Sequence, residues 1–199
     1  MKIGILISGR GSNMVAIVEA VQRGQIPASE VAVVISDKKS AQGLERAKQR
    51  GIETLVVARN GRGREEHDAE IVGELKKRNV ELICLAGYMR LLSGDFVRAF
   101  PDKIVNIHPS LLPAFPGLDA QRQAIEYGVK ISGCTVHFVD DELDHGAIIL
   151  QQAVEVKDDD TPETLSARIL AHEHALYVEA MAKIAAGNYE IQGRRVVFK

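Results

Sequence analysis

Asn106 and His108 are the two residues of this chain best suited by type and spacing to do chemistry. They lie two residues apart in Val105-Asn106-Ile107-His108-Pro109, at the end of a short apolar run. In an extended strand, residues i and i+2 point to the same face, so the amide and the imidazole project together into one cavity. Pro109 stops the strand, because it cannot donate to a ladder and restricts the residue before it. The pair is therefore left at a strand end, where open α/β sheets bind ligands. An amide N–H beside a protonated imidazole suits an oxygen that gains negative charge during a reaction. A structural histidine at a strand end is the plainer alternative; the shared face with Asn106 and the flanking prolines favour the chemical reading.

Such a histidine needs an acidic partner, because a neighbouring carboxylate favours the charged ring and fixes its orientation. The candidates lie in Asp140-Asp141-Glu142-Leu143-Asp144-His145-Gly146. Asp144 is the best of them, although sequence alone does not separate it from its neighbours, and acidic loops are commonly just solvated. A second motif, Ser8-Gly9-Arg10-Gly11-Ser12-Asn13, follows the first apolar run and precedes a helical pattern. Its glycines let backbone N–H groups approach an anion, and a helix N-terminus favours negative charge. It is neither a P-loop nor a good dinucleotide fingerprint, since Met14 stands where a third glycine belongs. Ala86-Gly87-Tyr88-Met89-Arg90-Leu91-Leu92 reads either as an apolar slot for a flat heteroaromatic ring or as core packing at a corner. Glu173, on a long helical pattern, points a carboxylate into a site or is an exposed helix charge. His137, His172 and His174 lack metal-ligand spacing, and His172 and His174 do not share a helix face, so no metal is expected.

The elements that must hold these groups follow from periodicity. Residues 3–7, 31–35, 54–57, 81–86 and 104–107 are short, rich in β-branched residues and unbroken by charge, as strands buried on both faces are. Helical patterns near 13–23, 40–50, 65–78 and 94–99 alternate with them, which predicts a parallel sheet covered by helices. Residues 131–139 and 147–156 read as a hairpin-like pair with a long connection. Thr161-Pro162-Glu163-Thr164 opens a helix to about 185 that Gly187-Asn188 ends. The expectation is one α/β domain over 1–199: a Rossmann-like, open, mainly parallel sheet with helices on both faces and antiparallel strands in its C-terminal part.

The 199 residues carry a net charge of −2 and 5% aromatic residues, so nothing calls for nucleic acid or a membrane surface. Cys84 and Cys134 sit in apolar runs and read as buried free thiols of a reducing compartment. The first apolar run is too short for a signal sequence, and none approaches the ~18 residues of a membrane span. A soluble cytoplasmic chain is expected, binding small molecules and acting as a monomer or homodimer.

Taken together, these motifs resemble the phosphoribosylglycinamide formyltransferase family. The likeness is carried by residues 8–13, 86–92, Asn106-Ile107-His108-Pro109-Ser110-Leu111-Leu112-Pro113, Phe115-Pro116-Gly117-Leu118, and Gly133-Cys134-Thr135-Val136-His137-Phe138-Val139 with Asp144 following. It implies transfer of a formyl group from 10-formyltetrahydrofolate, as co-substrate and without a metal, to the amine of 5′-phosphoribosylglycinamide in purine synthesis. It further implies that Gly11, Ser12 and Asn13 hold the ribose phosphate. Arg64, Met89, Arg90, Leu91, Leu92 and Asn106 would contact the folate, and Glu173 the glycinamide. Asn106, His108 and Asp144 would form the catalytic group. Asp119-Ala120-Gln121, His145 and Ala147 depart from the family's usual pattern. The alternatives are a deformylase or a formyltransferase with another amine acceptor, a nicotinamide-dependent oxidoreductase with Asp37 near the cofactor ribose, and a non-catalytic binding module.

Overall fold

The computed structural model describes residues 1–199. Two compact units are present, Met1–Val105 and Asn106–Lys199. The first unit alternates strand and helix: β1 (Lys2–Ile7), α1 (Ser12–Gln22), β2 (Glu30–Ser36), α2 (Gln42–Lys48), β3 (Thr54–Val56), α3 (Arg64–Lys77), β4 (Leu82–Leu85) and α4 (Gly94–Ala99). β1 pairs in parallel with both β2 and β4, and β2 with β3, giving the order β3-β2-β1-β4. The chain thus builds outward from β1 in both directions. That reversal leaves a crevice beyond the carboxyl ends of β1 and β4. Ile3, Ile5, Leu6 and Ile7 of β1 are fully buried, as the uncharged run requires of a strand covered on both faces. Gly4 sits where a Cβ would come within 2.6 Å of Leu75 on α3, so its small size lets the helix pack closely on the strand.

β5 (Ile104–His108) starts in the first unit and delivers its last three residues to the second. There follow α5 (Ala120–Tyr127), β6 (Ile131–Phe138), β7 (Ile148–Glu155), α6 (Pro162–Ala185), β8 (Tyr189–Gln192) and β9 (Arg195–Phe198). β6 and β7 form the expected antiparallel pair, and β8–β9 is an antiparallel hairpin that touches β7 in parallel through Ile148 and Arg195. α6 packs against β6 and β7. Its start is a capping box: Thr161 and Thr164 each satisfy the other's backbone N–H, with Pro162 in the first turn. β6 is buried from Ser132 to Phe138, on both faces and despite its polar residues. Its polar side chains therefore need partners inside the protein.

The sequence reading missed α5. Its eight residues, AQRQAIEY, bury only Ala120 and Ala124, too little apolar surface to stand out as a stripe. The departing residue Asp119 caps it with φ of 56°.

Candidate active site

The second unit assembles its polar centre around one carboxylate. Asp144 sits in the loop between β6 and β7 with its backbone at φ 49°, and its side chain is only 10% exposed. Oδ2 lies 3.3 Å from His108 Nδ1 and accepts from the Gly117 N–H at 2.8 Å. Oδ1 accepts from Asn106 Nδ2 at 3.4 Å and stands 3.8 Å from His137 Nε2. The neighbouring acids do other work: Asp140 accepts from the Glu142 N–H and holds His145 at 2.8 Å. Tertiary geometry thus separates Asp144 from the rest of its acidic loop.

β5 places Asn106 and His108 on one face, as the i, i+2 spacing demands. His108 is 4% exposed, and both its ring nitrogens meet acceptors: Nδ1 faces Asp144, and Nε2 donates to the Phe115 carbonyl at 2.8 Å. An imidazolium satisfies both at once. The amide of Asn106 is likewise engaged, by Asp144 and by His137 Nε2 at 3.2 Å. Sequence reasoning placed these donors against a substrate oxygen; here each already has a protein acceptor, because strand and loop close on one another through them.

Two residues that were not assigned a role support this group. Thr135 Oγ1 donates to the Ser110 carbonyl and accepts from the Leu112 N–H and from Gln151 Nε2, at 2.7, 3.0 and 3.0 Å. Gln151 also donates to the Leu112 carbonyl at 2.9 Å. The hydroxyl is thereby saturated, and the segment after β5 is tied to β6 and β7. Gly146 has a role in packing: a Cβ there would collide with the Phe138 carbonyl. Glu173 on α6 is 8% exposed, which removes the reading of an exposed helix charge. Burial, and secondarily the charge of Glu173, push the Cys134 thiol up to about 12, so it stays protonated.

In the first unit the glycine loop joins β1 to α1. Gly11 takes φ 70° as the residue before the helix, and no side chain caps that end. A Cβ at Gly11 would come within 2.9 Å of the Gly43 backbone, so glycine is required by both conformation and space. Ser12 and Asn13 open the helix, in the first turn of which N–H groups have no acceptor within the helix. The 86–93 segment borders the β1–β4 crevice: Ser8 N donates to the Gly87 carbonyl, and Met89 N to Ser8 Oγ, both at 3.0 Å. Arg64, at the first turn of α3, lines a concavity of about 580 Å³ with Arg59, Glu65, Met89, Arg90 and Leu91. Met89 and Leu91 are 61% and 53% exposed, so they are not corner packing. Leu92 does not line this concavity. Asp37 lies 3.6 Å from Arg90, which gives that carboxylate a partner other than a cofactor ribose. No group of three or more His, Cys, Asp or Glu side chains is arranged to hold a metal.

A family model described as formyl transferase matches residues 1–181. The chain belongs to the formyl transferase family. Within that family its relatives are specific. It is 48% identical to the trifunctional purine biosynthetic protein adenosine-3 of Drosophila melanogaster over 188 residues, which is 94% of this chain but only 14% of that protein. It is 43% identical to phosphoribosylglycinamide formyltransferase of Escherichia coli (strain K12), covering 96% of this chain and 90% of the relative. The crystal structure of glycinamide ribonucleotide transformylase 1 from Symbiobacterium toebii matches with a TM-score of 0.97 and 53% identity, over 100% of this chain and 93% of that one. The chain therefore spans a small part of the trifunctional relatives and nearly the whole of the bacterial transferases. Within the family the chain thus belongs to the phosphoribosylglycinamide formyltransferase branch, as the motifs around Asn106 and Gly11 suggested.

Proposed function

We propose that this chain transfers the formyl group of 10-formyltetrahydrofolate to the amine of 5′-phosphoribosylglycinamide, a step of purine (IMP) synthesis, by direct attack. The observation that carries this reading is the single carboxylate, Asp144, joined to both His108 and Asn106. The neutral amine attacks the formyl carbon, and the carbonyl electrons move to oxygen, giving a tetrahedral alkoxide. His108 in its imidazolium form and an Asn106 N–H, released from its longer contact with Asp144, stabilise that oxygen; donors of this kind are each worth ~3–4 kcal/mol in related oxyanion sites. Collapse breaks the bond to the folate nitrogen, which takes up the proton that the amine gives away. Asp144 orients the His108 ring through Nδ1 and serves that proton's route.

His108 Nε2 is held by the Phe115 carbonyl. A formyl oxygen is the same kind of acceptor, so formyl transfer by this ring requires substrate oxygen to displace Phe115 from it. Gly11, Ser12 and Asn13 hold the ribose phosphate at the start of α1, and Glu173 binds the glycinamide. Arg64, Met89, Arg90, Leu91 and Leu92 contact the folate, with Asn106 beside it. Residues 1–199 act as one formyltransferase domain in the cytoplasm, as a monomer or homodimer, on small molecules; no helix is long and apolar enough to cross a membrane.

The test is absorbance-monitored turnover of a 10-formylfolate substrate with phosphoribosylglycinamide, omitting each in turn. Consumption that requires the amine and disappears in His108→Ala is expected. Consumption without the amine would make the chain a deformylase, and none at all would overturn formyl transfer to this acceptor.

A further inference from the structure

His137 has no place among the catalytic and binding groups so far, yet it touches the reacting pair. It is the last residue but one of the buried stretch of β6 and is 1% exposed. Its Nδ1 faces the Phe138 carbonyl at 2.7 Å, and a carbonyl only accepts, so Nδ1 carries the proton. Burial also holds the ring below the usual histidine range, opposed by the Phe138 hydrogen bond and by Asp144 and helped by the charge of His108. A neutral ring protonated at Nδ1 leaves Nε2 with a lone pair and no hydrogen. That lone pair faces Asn106 Nδ2 at 3.2 Å.

The consequence falls on the Asn106 amide. Its two ends have nearly the same shape, and nothing in β5 itself decides which points where. Two acceptors face it, His137 Nε2 and Asp144 Oδ1. With its N–H end toward them both contacts are hydrogen bonds; flipped, its carbonyl oxygen would confront a lone pair and a carboxylate. We propose that His137 is a positioning residue that fixes the Asn106 carboxamide with its N–H groups toward the reacting centre, by being neutral, protonated at Nδ1 and able only to accept at Nε2. This rests on the formyl-transfer reading for its consequence in rate, but not for the geometry itself.

Two variants separate the two ends of the ring. His137→Asn retains an N–H near Nδ1 for the Phe138 carbonyl but has nothing at the Nε2 position. His137→Gln places an amide oxygen there as an acceptor. His137→Asn is expected to lower kcat about 10- to 100-fold, a fraction of what an oxyanion donor contributes, with KM for both substrates within about twofold. His137→Gln is expected to recover most of that loss. In an Asn106→Ala background, His137→Asn should cost less than about twofold, because the group it positions is gone. An undiminished loss in that background, or KM rising with kcat unchanged, would overturn the proposal. Two-bond ¹H–¹⁵N NMR of the histidine rings supplies a readout independent of turnover. A neutral Nδ1–H form of His137 near neutral pH is expected; an Nε2–H form or an imidazolium would sink the idea even in a fully active enzyme. A chain that showed the Nδ1–H form without transferring formyl groups would fail the functional reading and support the positioning.

Discussion

A single carboxylate ties the polar centre together at the residue scale. Asp144 accepts from one amide N–H and one backbone N–H and stands against a histidine ring, within a site largely closed to water. Asp144→Asn preserves its shape but replaces one acceptor oxygen by a donor facing other donors. Loss of general acid–base support is worth on the order of 10²–10⁴ in rate. The variant should therefore lose at least about 100-fold in kcat/KM by initial rates, while keeping its fold by circular dichroism. A loss under about fivefold would remove Asp144 from the mechanism. Asn106 and His108 were legible from their spacing alone, because the strand period of two is local. The choice of Asp144 over Asp140, Asp141 and Glu142 came from the family resemblance and not from spacing, since it depends on where a loop lies against a strand distant in sequence.

At the scale of elements, periodicity served where an element buries a long stripe and failed where it does not. The strands and helices of the first unit fall within a few residues of their expected spans, whereas α5 was hidden by its two small buried alanines. α6 was legible from both ends, and its start gives a direct test. Thr161 accepts from the Thr164 N–H, and Thr164 Oγ1 from the Thr161 N–H. Removing a cap of this type costs about 1 kcal/mol. Thr161→Ala should lower the melting temperature by roughly 2–4 °C in a chain of this size, read by calorimetry, with turnover unchanged. An unchanged melting temperature would mean that this helix end frays without consequence.

For the whole molecule, the buried histidine and the paired surface acids set two pH windows. His137 has an ordinary value of 6.5 that burial lowers in the folded chain. Above about pH 6.5 the ring is neutral whether folded or not, and its contribution is fully present. As pH falls below that, the unfolded chain takes up a proton that the folded chain refuses, so stability declines until the folded ring titrates. Glu53, Glu74 and Asp160 are lowered chiefly by hydrogen bonds to Arg78, to Lys77 and Arg78, and to Arg168, respectively. Their stabilisation is present above their ordinary values near 4.5 and 3.8 and is lost as pH falls toward their folded ones. Urea midpoints should therefore drop in two stages. The upper stage, which sets in below about pH 6.5, should be shallower in His137→Asn. An identical upper stage in that variant would show that His137 does not set it.

The chain by itself determined its class of fold, the glycine turn into the first helix, the paired Asn106 and His108, and the family they point to. All of these are properties of neighbouring residues: side-chain period, turn conformation and spacing. Tertiary structure decided how closely Asp144 meets His108, that the Phe115 carbonyl holds its other nitrogen, and that His137 faces Asn106. Those contacts join residues distant in sequence, two of them 7 and 31 positions apart, and their partners are chosen by which loops and strands can approach within hydrogen-bonding distance. A local pattern can offer a donor or a carboxylate, but only the folded chain can aim one at the other.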